Sequence, residues 1–170
     1  MSQLQELSKP FSQGLVKSKI VQGNRLEYVA HSEFNQRLLH VVGAFDITNV
    51  EPIRGYVPDM NTKAGKTYLG GDNLIVGALI TLRLEIDGRD TTIVEVGDVE
   101  NPQLKNHDGE RLKDAVSDAF KRACMRLGLG LHLRAERAYF LDKVLERDEL
   151  AAIESAKSAS DELADSLAAS

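Results

Sequence analysis

Tryptophan is absent from this chain, and cysteine occurs once, at Cys124. A single cysteine excludes an intrachain disulfide framework and a cysteine-rich zinc site. Aromatic residues make up only 5% of the sequence, so the core has to be mostly aliphatic. No apolar run reaches the roughly 18 residues of a membrane span. Lys9 is not followed by the hydrophobic stretch of a signal peptide, and the expected location is the cytoplasm. A cation excess is missing as well: 21 Lys and Arg stand against 26 Asp and Glu, a net charge of -5. That excludes a globally basic nucleic-acid protein but leaves room for a local basic groove. His31, His40, His107 and His132 fall far apart and none has metal-ligand spacing, so neither a metal nor a cofactor is expected.

What is present is a switch between two periodicities. Residues 16–21 and 25–30 flank Gln22, Gly23 and Asn24 and read as a hairpin, because Gly and Asn tolerate a positive φ. Ser32 is the expected cap of a helix from Glu33 to Val42 that Gly43 ends. Residues 44–54 read as a strand, with Pro52 arguing for an edge or a strand end. Residues 55–73 read as a long polar connection. Residues 74–86 read as a strand: Ala78, Ile80, Leu82, Leu84 and Ile86 share one face, and Thr81, Arg83, Glu85 and Asp87 the other. Asp87-Gly88 then predicts a tight turn into a strand over 91–96. The polar residues 1–16 admit a short helix.

The strongest helical pattern follows Asp108, the expected cap, with Leu112, Ala115, Val116, Ala119, Phe120, Ala123 and Leu127 recurring every three or four residues. A second helical stretch is expected over 135–158, fading into an acidic tail. Residues 111–137 carry seven Lys or Arg against three acids, a local excess of +4. Lys121, Arg122 and Arg126 cluster within this helix, with Asp118 four residues before Arg122. Lys binds phosphate as a flexible point charge and Arg binds it bidentately. From composition alone the same set reads more readily as an ordinary solvated helix face than as a phosphate patch.

Enzymatic readings do poorly. Gly65-Lys66-Thr67 lacks the upstream glycine spacing of a phosphate-binding loop, and Gly-Gly-Asp at 70–72 has no following Gly-Lys-Ser/Thr. Asp87, Asp90 and Asp108 belong to a turn and a cap rather than to a two-metal centre. Cys124 falls in the packed helix as a structural thiol.

The segment from Asp114 to Gly128, centred on Ala119-Phe120-Lys121-Arg122-Ala123, resembles the signature helix of the Rad52/Rad22 single-strand DNA annealing family, in its bacteriophage or bacterial branch. The order of elements is similar too: hairpin, helix, three-stranded meander, long helix. The resemblance implies an α+β fold with an N-terminal hairpin, a helix, an antiparallel three-stranded meander and a long helix packed on the sheet. It covers residues 14–145, with 1–13 as an N-terminal extension and 146–170 as a helical extension and acidic tail. It also implies single-stranded DNA binding and annealing in recombination or repair, without catalysis, by a homo-oligomer of ring form that works beside a recombinase or exonuclease.

Carried over residue by residue, the family's paired cations match Lys121 and Arg122. Its hairpin cation is similar to Lys19, with Tyr28 and Arg25 on the returning strand. Its Val-Gly pair matches Val96-Gly97. Met125 stands where relatives often place a further arginine, and Arg126 comes next. The implied DNA-binding set is Lys19, Arg25, Tyr28, Lys121, Arg122 and Arg126. Without the family, Tyr28 is either a packing residue or a platform for a base. Arg83, on the wetter face of the central strand, serves a subunit contact, the DNA groove or solubility alone, and Lys63 and Lys66 are solvated loop charges or contacts to a second DNA segment. A structural oligomer that keeps the fold and lacks DNA binding is the alternative.

Overall fold

A computed structural model describes residues 2–21, 24–62 and 64–134. The chain divides into two units, Met1–Leu133 and Arg134–Ser170, and the strands and α-helices of the described residues all belong to the first. The expected helical stretch over 135–158, the acidic tail and Lys63 lie outside the described residues.

The alternation seen in the sequence forms the central strand of the sheet. Strand β6, Gly71–Ile86, lies between β3, Asp46–Val57, and β7, Arg89–Asp98, and both pairings are antiparallel. Ala78, Ile80 and Leu82 are 0% exposed, and Leu84 and Ile86 are 5% exposed. Burial of each large aliphatic side chain stabilises the fold by roughly 1.5–3 kcal/mol. Asp87 (φ 50°) and Gly88 (φ 76°) both adopt left-handed backbone in the turn from β6 to β7, as a tight antiparallel hairpin requires.

Helix α3, Asp108–Arg126, crosses the buried face of β6 and β7. Its Ala115, Ala119 and Ala123 are fully buried. The closeness of that crossing explains Gly97. A Cβ at this position would lie 2.2 Å from the Ala115 carbonyl oxygen and 2.2 Å from the Ala119 nitrogen. Helix α2, His31–Val42, adds Phe34 and Leu38 to the same core, and Gly43 ends it with φ 82°. Helix α1, Gln3–Ser8, begins with a reciprocal Ser2–Gln5 capping box and buries Leu7, with Phe11 close behind it in the core. Gln3 also clasps the hairpin turn. Its N–H donates to Asp87 Oδ1 at 2.8 Å, and its side-chain oxygen accepts from the Asp87 N–H at 2.6 Å.

The first hairpin pairs β1, Lys17–Val21, with β2, Asn24–Tyr28. Pro52 lies on β3, an edge strand, where its missing N–H leaves no gap in a central ladder.

Three expectations need correction. Residues 55–73 are not a plain connection: β3 runs on to Val57, and β4, Met60–Asn61, pairs with β5, Thr67–Tyr68. Pairs this short leave no periodicity to read, and Thr62 closes the loop by accepting from the Lys66 N–H at 3.1 Å. Ser32 does not cap α2; Ala30 holds that place with extended backbone and no side-chain bond. Asp108 does not cap α3. His107 has the extended backbone a cap needs, and its Nδ1 accepts the Glu110 N–H at 3.2 Å. Asp108, one position inside the helix, instead accepts from Arg54 at 2.9 Å and Arg111 at 3.2 Å.

Candidate nucleic-acid interface

A helix advances 100° per residue, so Lys121 and Arg122 diverge although they are neighbours. Asp118, Arg122 and Arg126 follow one another at four-residue spacing down the flank of α3 that faces β7. Lys113, Ser117 and Lys121 follow one another down the opposite flank, where α2 begins. The buried alanine row lies on the face between them.

On the β7 flank every cation meets a carboxylate. Arg122 donates from Nε to Asp118 at 2.7 Å and lies 3.7 Å from Asp98. Asp118 also accepts the Asp98 N–H at 3.3 Å, which ties the helix to the strand. Arg126 donates to Glu95. Lys19, from the hairpin, reaches Glu100 at 3.1 Å. Glu95, Asp98 and Glu100 therefore form a ladder of acids along β7 and just past its end. The Asp118 carboxylate holds the Arg122 guanidinium above its ordinary range, and Glu95 does the same for Arg126. In return the bond from Arg126 holds the Glu95 carboxyl below its ordinary value, against the opposing effect of burial.

On the opposite flank no carboxylate lies within ion-pair distance of Lys121 among the described residues. The Ser117 hydroxyl and His31 Nδ1 share a hydrogen bond of 3.1 Å, its direction set by the imidazole tautomer. The His31 ring packs on Phe120 with centroids 4.9 Å apart. Burial holds the His31 imidazole below its ordinary value, the charge of Lys121 adds to this, and a hydrogen bond to Ser117 opposes it. A cleft of about 720 Å³ opens here, lined by His31, Lys113, Ser117, Val50, Leu112 and Val116 among others.

The hairpin presents two faces. Lys17 pairs with Tyr28 and Lys19 with Leu26, so Lys17, Lys19 and Tyr28 share one face. Arg25 pairs with Ile20 and takes the other face, where Glu27 lies 3.8 Å from it. The structure thus brings Lys19 near the acids that end β7, sets Arg25 apart from Lys19 and Tyr28, and separates Lys121 from Arg122. Arg83 stands exposed on the sheet face away from α3, and Lys66 lies over the Tyr68 ring at 4.6 Å.

The acid ladder is what sequence reasoning missed. One signal was available: in Ile93-x-Glu95-x-Gly97 the acid occupies a position that faces the helix, and such an acid needs a cation. The His31–Ser117 contact joins residues 86 apart in the chain and leaves no local pattern.

Among the described residues no group of three or more His, Cys, Asp or Glu side chains converges as metal ligands, and no helix is long and apolar enough to cross a membrane. Cys124 is fully buried, and burial pushes its thiol up to about 12. Residues 1–149 match the family model described as Rad52/22 family double-strand break repair protein. A comparison with curated proteins finds no match.

Proposed function

The chain belongs to the Rad52/22 family of double-strand break repair proteins, whose activity is single-strand DNA binding and annealing without covalent chemistry, and we propose that α3 and the β1–β2 hairpin carry that activity here. Lys121 meets the strand first, because its charge is not already neutralised by a carboxylate. Lys19, Arg122 and Arg126 exchange carboxylates for phosphates as the strand settles. Arg25 and Tyr28 contact it from the hairpin. Phosphate contacts fix the path of the strand without reading it and leave the bases open to pairing. Neutralised phosphates also repel a complementary strand less.

The proposal includes assembly into a ring. Both edges of the sheet, β3 and β7, are unpaired among the described residues. Ile53, Val94 and Val96 expose apolar surface on the sheet face away from α3. Edges and apolar patches of this kind need cover, and a second copy supplies both. The proposal also takes the chain as a bacteriophage or bacterial member of the family, acting in the cytoplasm of a bacterial cell or an infected host beside a recombinase or exonuclease.

The observation that carries the site assignment is Lys121, an uncompensated cation on the helix that resembles the family's signature. The test is annealing of complementary oligonucleotides by the wild type and by the Lys121→Ala/Arg122→Ala protein. Fast annealing by the wild type and slow annealing by the variant are expected; equal rates remove the pair from the site. The pairing of Lys19, Arg25, Arg122 and Arg126 with carboxylates favours a second reading, in which these cations only hold the fold of a structural oligomer. Failure to bind single strands at low salt would establish that second reading.

A further inference from the structure

We propose that His31, Ser117 and Lys121 form a phosphate subsite in which His31 takes up a proton as the strand binds. The proposal rests on the DNA-binding reading and extends it to three groups on the flank of α3 opposite the acid ladder.

The geometry supplies the pieces. Ser117 lies one helical turn before Lys121, on the same flank, and holds the His31 imidazole through the 3.1 Å bond. Packing against Phe120 restrains the ring, which forms part of the wall of an open cleft. Among the described residues the charged groups facing this corner are few. From α3 they are Lys121, and Lys113 and Asp114 in the cleft lining, with Asp114 engaged by Lys105. From β3 the lining residue is the uncharged Val50. In the free protein two influences keep the imidazole neutral, burial and the charge of Lys121.

A phosphodiester placed on Lys121 reverses the second influence. It cancels the ammonium charge and sets an anion beside the ring, which favours imidazolium. The protonated ring donates from Nδ1 to the Ser117 oxygen and has Nε2–H free to donate to a phosphate oxygen. A phosphodiester keeps one negative charge across the neutral range, so the titrating group is on the protein. By linkage, a group that gains a proton on binding makes binding tighter as pH falls.

The test is binding of a fluorescent oligothymidylate to the full chain by the wild type, by His31→Gln and by His31→Lys. Between about pH 8 and about pH 5.5, the range in which histidine titrates, the wild type should gain about tenfold in affinity. His31→Gln should lose that gain, and His31→Lys should bind tightly with a flat profile. His40, His107 and His132 remain in all three proteins, so their contribution is a shared background. Calorimetry near neutral pH in two buffers of different ionisation enthalpy reads the proton directly, with uptake by the wild type and less by His31→Gln. A His31→Gln protein of unchanged oligomer size that keeps the wild-type pH profile overturns this proposal and leaves DNA binding intact. Absence of wild-type binding at every pH overturns both.

Discussion

Lys121 and Arg122 are consecutive in sequence and stand on opposite flanks of α3, Arg122 bonded to Asp118 at 2.7 Å and Lys121 one turn beyond the Ser117 that bonds His31, with no carboxylate partner among the described residues. A pair that reads as one basic motif is two cations in different electrostatic surroundings. On the proposed reading, Lys121 takes a phosphate at once, whereas Arg122 first gives up a carboxylate.

The single variants should therefore differ. Lys121→Ala should weaken single-strand binding more than Arg122→Ala, and should make the dependence of log affinity on log salt shallower by about 0.7 for the phosphate no longer neutralised. Fluorescence anisotropy at several salt concentrations checks this. Equal losses would mean that the carboxylates do not compete with DNA.

Neutralising the ladder should have the opposite effect. Glu95→Gln releases Arg126 to the strand, and Asp98→Asn loosens the hold on Arg122, which Asp118 still bonds, so binding should tighten in both, and in Glu95→Gln the salt dependence should steepen by about 0.7 for the additional phosphate neutralised. Stability should change little for Asp98→Asn, since an exposed pair contributes about 0–1 kcal/mol. Weaker binding by both variants would contradict the exchange of carboxylates for phosphates.

Stability against pH has a defined sign at Glu95. Its folded-state carboxyl is held below the ordinary value of 4.5, chiefly by Arg126. Its contribution is therefore fully present above that value and is lost as pH falls through the lower folded-state value. Urea unfolding across the acid range should show a decline that is smaller in Glu95→Gln. An identical decline would place the acid sensitivity elsewhere.

Gly97→Ala should destabilise the fold by about 1–3 kcal/mol or more, because the new methyl group meets the α3 backbone rather than a side chain that can rotate away. Gly88→Ala, in open space at φ 76°, should cost about 1–2 kcal/mol from backbone strain alone. Denaturant midpoints compare the two directly.

Wild-type protein should sediment as an oligomer at micromolar concentration. Val94→Glu/Val96→Glu, on the sheet face away from α3, should reduce its mass without loss of secondary structure. A monomeric wild type would reject the ring.

The sheet and α3 were legible because burial writes itself into the sequence at period two along Ala78–Ile86 and at period 3.6 along Leu112–Leu127. Gly43 and Asp87-Gly88 were legible because positive φ restricts residue choice. The caps were misplaced by one or two positions, since Ala30 and His107 cap through backbone geometry and an imidazole nitrogen rather than a short hydroxyl or carboxylate. The β4–β5 pair was too short to show a pattern. The cations of the site were visible as residue types, but their partners were not. Register decides that Lys19 and Arg25 occupy different faces, and the crossing of α3 over Gly97 decides that Arg122 meets Asp98.

The most direct measurement is single-strand binding by Lys121→Ala/Arg122→Ala across a range of salt concentrations, with oligomer size measured on the same samples. The expected result is an intact oligomer with weaker binding to every base sequence and a salt slope reduced by about 0.7 for each phosphate no longer neutralised. Wild-type affinity and an unchanged slope in an intact oligomer would contradict the assignment of α3 to the DNA track.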